Sequence, residues 1–129
     1  MPFVQAARNF INNPGTHQTK QHYPLMIDTL NFLLNNAIGI QNAVSTQAVI
    51  NHLASLGHQT HREDWQINVL GYLRENGVFI ASKIGGGIFL INNASDAYEA
   101  FCSYFRRIAV ETERLNLLYN HIRQAGWLP

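Results

Sequence analysis

The chain is poor in charged residues. Lys, Arg, Asp and Glu make up 13% of its 129 residues, well under the roughly 25% typical of soluble proteins. The formal net charge is +1 with neutral histidines, so the composition gives no strong basic field of the kind that attracts nucleic acid. Fourteen Asn and eight Gln supply much of the polarity instead. The overall charge therefore argues against a highly basic nucleic-acid-binding protein.

Cysteine and long apolar runs are also scarce. The single cysteine, Cys102, excludes an internal disulfide framework and suits a reducing compartment. No segment reaches the ~18 uninterrupted apolar residues of a membrane span. The start, MPFVQAARNFINNPG, lacks the basic and apolar regions of a secretory signal. We therefore expect a cytoplasmic protein with no membrane partner.

Apolar residues at helical spacing are abundant. Hydrophobic residues make up 47% of the chain, which is enough for a core, and the length suits one domain. Apolar spacing and breaking residues predict four helices in the first part of the chain, over 3–12, 25–38, 46–56 and 62–75. Ser45 is the expected N-cap of the third. The buried face expected for the fourth consists of Trp65, Val69, Leu70 and Leu73.

Three consecutive glycines occupy positions 85–87, inside the stretch FIASKIGGGIFLI. The apolar residues on both sides predict strands over 78–82 and 87–91, joined by a tight turn whose positive φ angles favour glycine. A Walker phosphate loop needs its lysine after the glycines and a helix beyond them. Here Lys83 precedes the glycines and a strand follows, so we predict a β-hairpin and no nucleotide.

The order helix, helix, tight turn, helix, hairpin, helix is typical of one DNA-binding fold. The segment WQINVLGYLRENGVFIASKIGGGIFLI resembles the third helix and wing of prokaryotic and phage-type winged helix-turn-helix domains. The matching positions are Leu70, Leu73, Arg74, Gly77, Ile80, Ser82, Gly86, Gly87 and Phe89. The resemblance covers about residues 24 to 95. It implies a winged helix-turn-helix over 22–94. Together with the flanking segments we expect an α+β, mostly α fold that also has an N-terminal arm (1–21) and a C-terminal helix (95–129).

The resemblance also implies a function and a set of binding residues. In such a domain the 62–75 helix enters the major groove of double-stranded DNA, where Arg reads guanine and Gln or Asn reads adenine. A lysine at the wing tip reaches a phosphate or the minor groove. The expected function is sequence-specific DNA binding by a transcriptional regulator of a bacterium, phage or mobile element. The candidate DNA-binding residues are Thr60, His61, Arg62, Gln66, Asn68 and Lys83.

Two other functions remain open. The region from His58 to Ile91 has a formal charge of zero, because three cations stand against three acids: Arg62, Arg74 and Lys83 against Glu63, Asp64 and Glu75. Because phosphate neutralisation supplies much of DNA affinity, this balance favours a winged-helix protein-interaction module within a replication or restriction-type assembly. A regulator that senses a small molecule would need a pocket that the sequence does not reveal.

Residues that could carry catalysis or bind a metal follow no familiar pattern. The spacing of His52, His58 and His61 matches no zinc motif. Cys102 lies among aromatic residues and is expected to be a small buried apolar side chain. No Gly-x-Ser-x-Gly elbow occurs. We predict that the chain is not an enzyme and has no catalytic residue, metal site or cofactor.

The last predicted helix, capped by Ser95 or Asp96 and reaching about Ala125, carries a heptad seam. Apolar residues alternate at spacings of three and four from Tyr98 to Ile122, with one polar break at Thr112. About 30 residues at 1.5 Å each give roughly 45 Å, longer than a domain of this size is wide. We therefore expect a homodimer, with Phe101, Phe105, Ile108, Leu115, Tyr119 and Ile122 at the interface.

Overall fold

A computed structural model describes residues 2–127. Three helices come first: α1 Pro2–Asn12, α2 Tyr23–Asn36 and α3 Thr46–Ser55. Next, α4 Arg62–Trp65 continues through a π-helical turn, Gln66–Gly71, into α5 Tyr72–Glu75, and we call this continuous run helix 62–75. The strands β1 Ile80–Ser82 and β2 Ile88–Leu90 precede the long helix α6 Ala94–Gln124. The predicted α+β, mostly α class is confirmed.

The core lies between α1, α2, α3, helix 62–75 and the hairpin. The four residues predicted as the buried face of helix 62–75 are all nearly inaccessible to solvent: Trp65, Val69, Leu70 and Leu73. From α1, Val4, Ala7 and Phe10 belong to the same cluster. The first helix therefore packs into the body of the protein, and the proposed boundary at residue 21 stays a prediction.

The hairpin follows the predicted pattern. β1 and β2 are antiparallel, with Ile80 opposite Leu90, and the three glycines of the turn have φ angles of +88°, +106° and +103°. A third segment extends the pairing on the other edge of β2. Val44 and Ile88 exchange backbone hydrogen bonds of 2.9 and 2.7 Å, and Gly39 donates to the carbonyl of Leu90 at 2.8 Å. The hairpin is thereby anchored to the segment that joins α2 to α3.

The N-cap of α3 agrees with the sequence prediction, whereas the N-cap of α6 differs from it. The Ser45 hydroxyl accepts the Ala48 N–H at 3.0 Å, so the predicted cap of α3 is confirmed. The N-cap of α6 is Asn93, not Ser95 or Asp96, and its side chain accepts the Asp96 N–H at 2.9 Å. The buried Asp96 carboxylate has another role. It accepts the N–H groups of Ile40 at 3.3 Å and Asn92 at 3.1 Å, and so fixes the start of α6 to the body.

Three segments depart from the predicted secondary structure. Residues Gly15–Thr19 and Ile40–Asn42, which lie outside the predicted helices, form 3₁₀ helices. Helix 62–75 was expected to be regular but widens at Gln66–Gly71. The apolar spacing of Trp65, Val69, Leu70 and Leu73 also fits a regular helix, so it does not distinguish a regular turn from a π-helical one.

Helix α6 leaves the body after its first three turns. Its buried residues, Asp96, Ala100 and Ser103, all lie near its beginning, where it packs beside β1. From Phe105 to Gln124 every side chain is exposed except that of Ile122, which is half-buried. Within residues 2–127, no helix combines the length and apolar character needed to cross a membrane.

Candidate nucleic-acid interface

A groove of about 780 Å³ lies between helix 62–75, the hairpin turn and α6. One wall consists of residues four apart on helix 62–75: Arg62, Gln66, Leu70 and Arg74. The hairpin from Ser82 to Ile88 forms the floor. The second wall consists of residues from the inner part of α6: Ser103, Arg106, Arg107, Val110, Glu111 and Arg114.

The groove concentrates the positive charge of the protein. Six of the nine Lys and Arg residues line it: Arg62, Arg74, Lys83, Arg106, Arg107 and Arg114. Glu111 is the one acidic residue among the lining residues that the structure describes. The groove thus carries a formal charge of +5, whereas the rest of the chain, with three cations against seven acids, carries −4. The overall net charge of +1 hides a strong separation of the two signs.

Local contacts hold three of these six cations. The Nε of Arg74 donates to the Ile80 carbonyl at 2.8 Å, which ties helix 62–75 to β1. Arg107 lies with its guanidinium carbon 5.1 Å from the centroid of the Tyr104 ring. Arg114 donates to the Glu111 carboxylate at 2.8 Å. The other three cations, Arg62, Lys83 and Arg106, have exposed side chains in the groove.

The structure brings together some of the predicted DNA-binding residues and separates others. Arg62 and Gln66 line the same groove as Lys83. Asn68 faces the other flank of helix 62–75, in a pocket that also contains Lys20. Exposed side chains at Arg62, Gln66, Asn68 and Lys83 leave all four accessible to a ligand.

Thr60 and His61 lie just before helix 62–75. Thr60 is half-buried, and its hydroxyl makes a 3.4 Å contact with the His61 carbonyl. His61 occupies the N-cap position but makes no capping hydrogen bond through its side chain. Neither residue is among those that line the groove. Their role in binding stays a prediction.

Sequence reasoning missed the arginines of α6. Arg106, Arg107 and Arg114 are remote in sequence from the predicted recognition helix, and the charge of residues 58–91 alone does not include them. A signal was present nonetheless. At about 100° per residue, the groove-lining positions of α6 cluster on a face about 140° from the centre of the heptad seam. Arginines that share one face of a helix, away from its apolar seam, indicate a separate binding surface.

The heptad seam of α6 is exposed in the single chain. Four of its residues expose more than half of their surface, with Phe101 at 67%, Ile108 at 66%, Leu115 at 65% and Tyr119 at 53%. Phe105 is similarly exposed, and Ile122 is half-buried. Exposed apolar patches of this kind mark interaction surfaces.

A smaller pocket of about 350 Å³ lies on the other side of the hairpin turn, where Tyr98, Cys102 and Arg106 face Lys83. Cys102 is half-buried there, less enclosed than the sequence predicts. A hydrogen bond with Cys102 raises the pKa of the Tyr98 phenol. Among residues 2–127, no three His, Cys, Asp or Glu side chains lie close enough together to hold a metal ion.

Comparison of the chain with protein-family models, with curated proteins and with solved structures found no match. The function is therefore inferred from the groove, from the exposed seam and from the motif in helix 62–75 and the hairpin.

Proposed function

We propose that this chain is a winged helix-turn-helix protein that binds double-stranded DNA sequence-specifically, as a transcriptional regulator of a bacterium, phage or mobile element. One observation carries the proposal. Arg62 and Gln66 on helix 62–75 line the same groove as Lys83 on the hairpin turn, although Lys83 follows them by 17 or more positions in the sequence. A recognition helix and a wing have to meet one DNA duplex together, and the groove that these three side chains share supports such a role for them.

The arrangement of elements supports the winged-helix assignment. In α3 and helix 62–75 the chain has two consecutive helices joined by a short turn, as in a helix-turn-helix. The hairpin follows helix 62–75 at once. The segment between α2 and α3 pairs with β2 through Val44 and Gly39, so the wing has a third strand-like partner that orients it against the helices.

The side chains on helix 62–75 suit base recognition. Arg62 and Gln66 are one helical turn apart in its N-terminal half, and both are exposed. Arg pairs with guanine and Gln with adenine through two hydrogen bonds each, and a good pair contributes roughly 1–3 kcal/mol of discrimination against the wrong base. Trp65 between them is fully buried and holds the helix in place.

A homodimer through α6 completes the proposal. The part of α6 beyond Phe105 has exposed side chains, and a helix draws most of its stability in proteins from packing. Residues spaced three and four apart, such as Phe101, Phe105 and Ile108, fit a two-stranded coil in which a second copy covers the same seam. Two recognition helices would then face successive major grooves roughly 34 Å apart.

A second candidate function is a winged-helix protein-interaction module within a replication or restriction-type assembly. It is favoured by apolar residues that lie off the seam and are also exposed: Leu117 at 53%, Leu118 at 56% and Trp127 at 80%. A second copy packed on the seam alone would leave Leu117 uncovered, and a different protein could cover it.

Binding to random duplex DNA at low and moderate salt tests the proposal. The parent chain is compared with the double variant Arg62→Ala/Gln66→Ala, and the helical circular dichroism of both is recorded. We expect the parent to bind and the variant to bind more weakly with unchanged folding, because neither side chain is buried. If the parent fails to bind DNA at low salt, the protein-interaction function takes its place.

A further inference from the structure

We propose that the arginine face of α6, consisting of Arg106, Arg107 and Arg114, binds the phosphate backbone of the duplex that helix 62–75 reads. This inference rests on the proposed DNA-binding function and adds a third contact element to the helix and the wing. The three arginines form the wall of the groove opposite Arg62 and Gln66.

Charge separation is the first argument for a polyanionic ligand. The groove carries a formal charge of +5 while the rest of the chain carries −4. Like charges gathered on one surface repel one another. Within the groove Glu111 is the one acid among the described lining residues, and Glu99 shares the neighbouring pocket with Lys83 and Arg106, so the acids offset only part of this repulsion. A ligand with several negative charges along its length removes the repulsion, and a nucleic-acid backbone is such a ligand.

The lining of the groove favours a duplex backbone over a single strand. Proteins that bind single strands stack successive bases on aromatic rings. None of the described residues that line this groove is aromatic. The lining instead offers guanidinium groups, which pair with phosphate oxygens through two hydrogen bonds. The turn at Gly85 and Gly86 has no side chains, and a Cβ at either position would meet open space, so the floor leaves room for a backbone.

Dimerisation and phosphate binding use different faces of α6. The groove-lining face and the seam are about 140° apart around the helix axis. A second copy on the seam therefore leaves Arg106, Arg107 and Arg114 open to DNA. Glu111 is the exception within the face, since its carboxylate accepts a 2.8 Å hydrogen bond from Arg114 and offsets part of that charge.

The first experiment measures how DNA affinity depends on salt. Each phosphate contact contributes about 0.9 to the slope of log affinity against log salt concentration. The triple variant Arg106→Gln/Arg107→Gln/Arg114→Gln should therefore flatten the slope by about 2.7. Between 50 and 200 mM salt, the parent should lose about 40-fold more affinity than this variant. The ratio of affinities for specific and random DNA should not change, because phosphate contacts carry no sequence information.

Two single substitutions give matched comparisons. Arg106→Gln should lower the slope by about 0.9, whereas Arg8→Gln, which removes an equal charge on exposed α1 outside the groove, should leave it unchanged. Glu111→Gln should have the opposite effect and raise DNA affinity by about two- to fivefold. It removes the acid from the groove and breaks its exposed ion pair with Arg114, which is a change of this size. A gain in affinity cannot result from a damaged fold.

The outcomes separate this inference from the function on which it rests. If the triple variant keeps the slope of the parent while Arg62→Ala/Gln66→Ala weakens binding, the arginine face is not a phosphate site but the DNA-binding function stands. If the parent does not bind DNA at all, both proposals fail.

A second measurement uses the unaltered chain, so that a folding defect of the triple variant cannot mislead. Phenylglyoxal modification is followed residue by residue with mass spectrometry, with and without duplex DNA. DNA should slow modification of Arg106, Arg107 and Arg114 but not of Arg8. Equal rates with and without DNA at all three α6 arginines would overturn the inference.

Discussion

Trp65 donates its indole N–H to the hydroxyl of Thr29 at 3.1 Å, and both side chains are fully buried. The bond joins helix 62–75 to the middle of α2. A buried indole N–H without a hydrogen-bond partner is costly. The Thr29 hydroxyl therefore favours the placement of helix 62–75 in which this bond can form. The orientation of Arg62 and Gln66 in the groove therefore depends on a residue that does not line the groove.

The first prediction concerns this bond. Thr29→Val keeps the shape of the side chain but leaves the Trp65 N–H unsatisfied in the core, so the free energy of unfolding should fall by about 1–3 kcal/mol. Equilibrium unfolding in urea measures the change. Thr16→Val, at an exposed position, is the matched control and should alter stability by less than about 0.5 kcal/mol. Equal stabilities for Thr29→Val and the parent would show that the hydroxyl does not stabilise the core.

The second prediction compares two amides on opposite flanks of helix 62–75. Gln66 lines the groove, whereas Asn68 faces the pocket near Lys20. If the groove receives the DNA, Gln66→Ala should lower affinity for the preferred sequence by the roughly 1–3 kcal/mol of a base contact, and Asn68→Ala should have a smaller effect. Fluorescence anisotropy with a selected duplex measures both. A larger loss for Asn68→Ala would place the recognition surface on the other flank.

Much of the fold could be predicted from local sequence signals. The burial of Trp65, Val69, Leu70 and Leu73 follows from apolar spacing, because a helix against a core must bury one stripe. The hairpin follows from the glycines at 85–87, whose positive φ angles few other residues adopt. The cap at Ser45 follows from hydrogen bonding between neighbours in the chain.

The charge of the site could not be predicted in the same way. It depends on where α6 lies relative to helix 62–75, and that position is fixed by long-range contacts such as those of Asp96 with Ile40. Counting charges over residues 58–91 included Glu63 and Asp64, which do not line the groove, and omitted the arginines of α6, which do. The tertiary arrangement therefore gathers positive charge that a count over residues 58–91 does not reveal.

The third prediction concerns the glycine turn. At Gly86, φ is +106°, and an added Cβ would meet open space, so Gly86→Val should cost about 1–3 kcal/mol through backbone strain alone. Gly87→Val should cost more, because an added Cβ would lie 3.3 Å from the Val44 carbonyl oxygen as well. Thermal unfolding measures both changes. Neither ATP nor NAD should raise the melting temperature of the parent, and a clear rise would indicate a nucleotide site.

Gly71 supplies the control for the glycine variants. It lies in helix 62–75 with φ −60° and ψ −47°, and its added Cβ would make an ordinary contact of 3.5 Å. Gly71→Ala should therefore stabilise the protein by about 0.5–1 kcal/mol. Destabilisation at positions 86 and 87 together with stabilisation at position 71 would attribute the loss to the turn geometry, whereas similar losses at all three would contradict that explanation.

The fourth prediction is that the protein is a dimer through the seam of α6. Leu115 is 65% exposed in the single chain, and its burial against a second copy would stabilise association by about 1.5–3 kcal/mol per side chain before the costs of association. Sedimentation at micromolar concentration should give about twice the 14.6 kDa chain mass. Leu115→Asp/Ile122→Asp should give a monomer that binds DNA much more weakly, because each copy loses the contacts of its partner.

Leu117→Asp is the matched control. It introduces one Asp, half of the charge that the seam variant adds, at a 53% exposed leucine that lies outside the seam, so it should leave the dimer intact. A parent chain that sediments as a monomer, or a Leu117 variant that dissociates as readily as the seam variant, would show that the heptad seam is not the dimer interface.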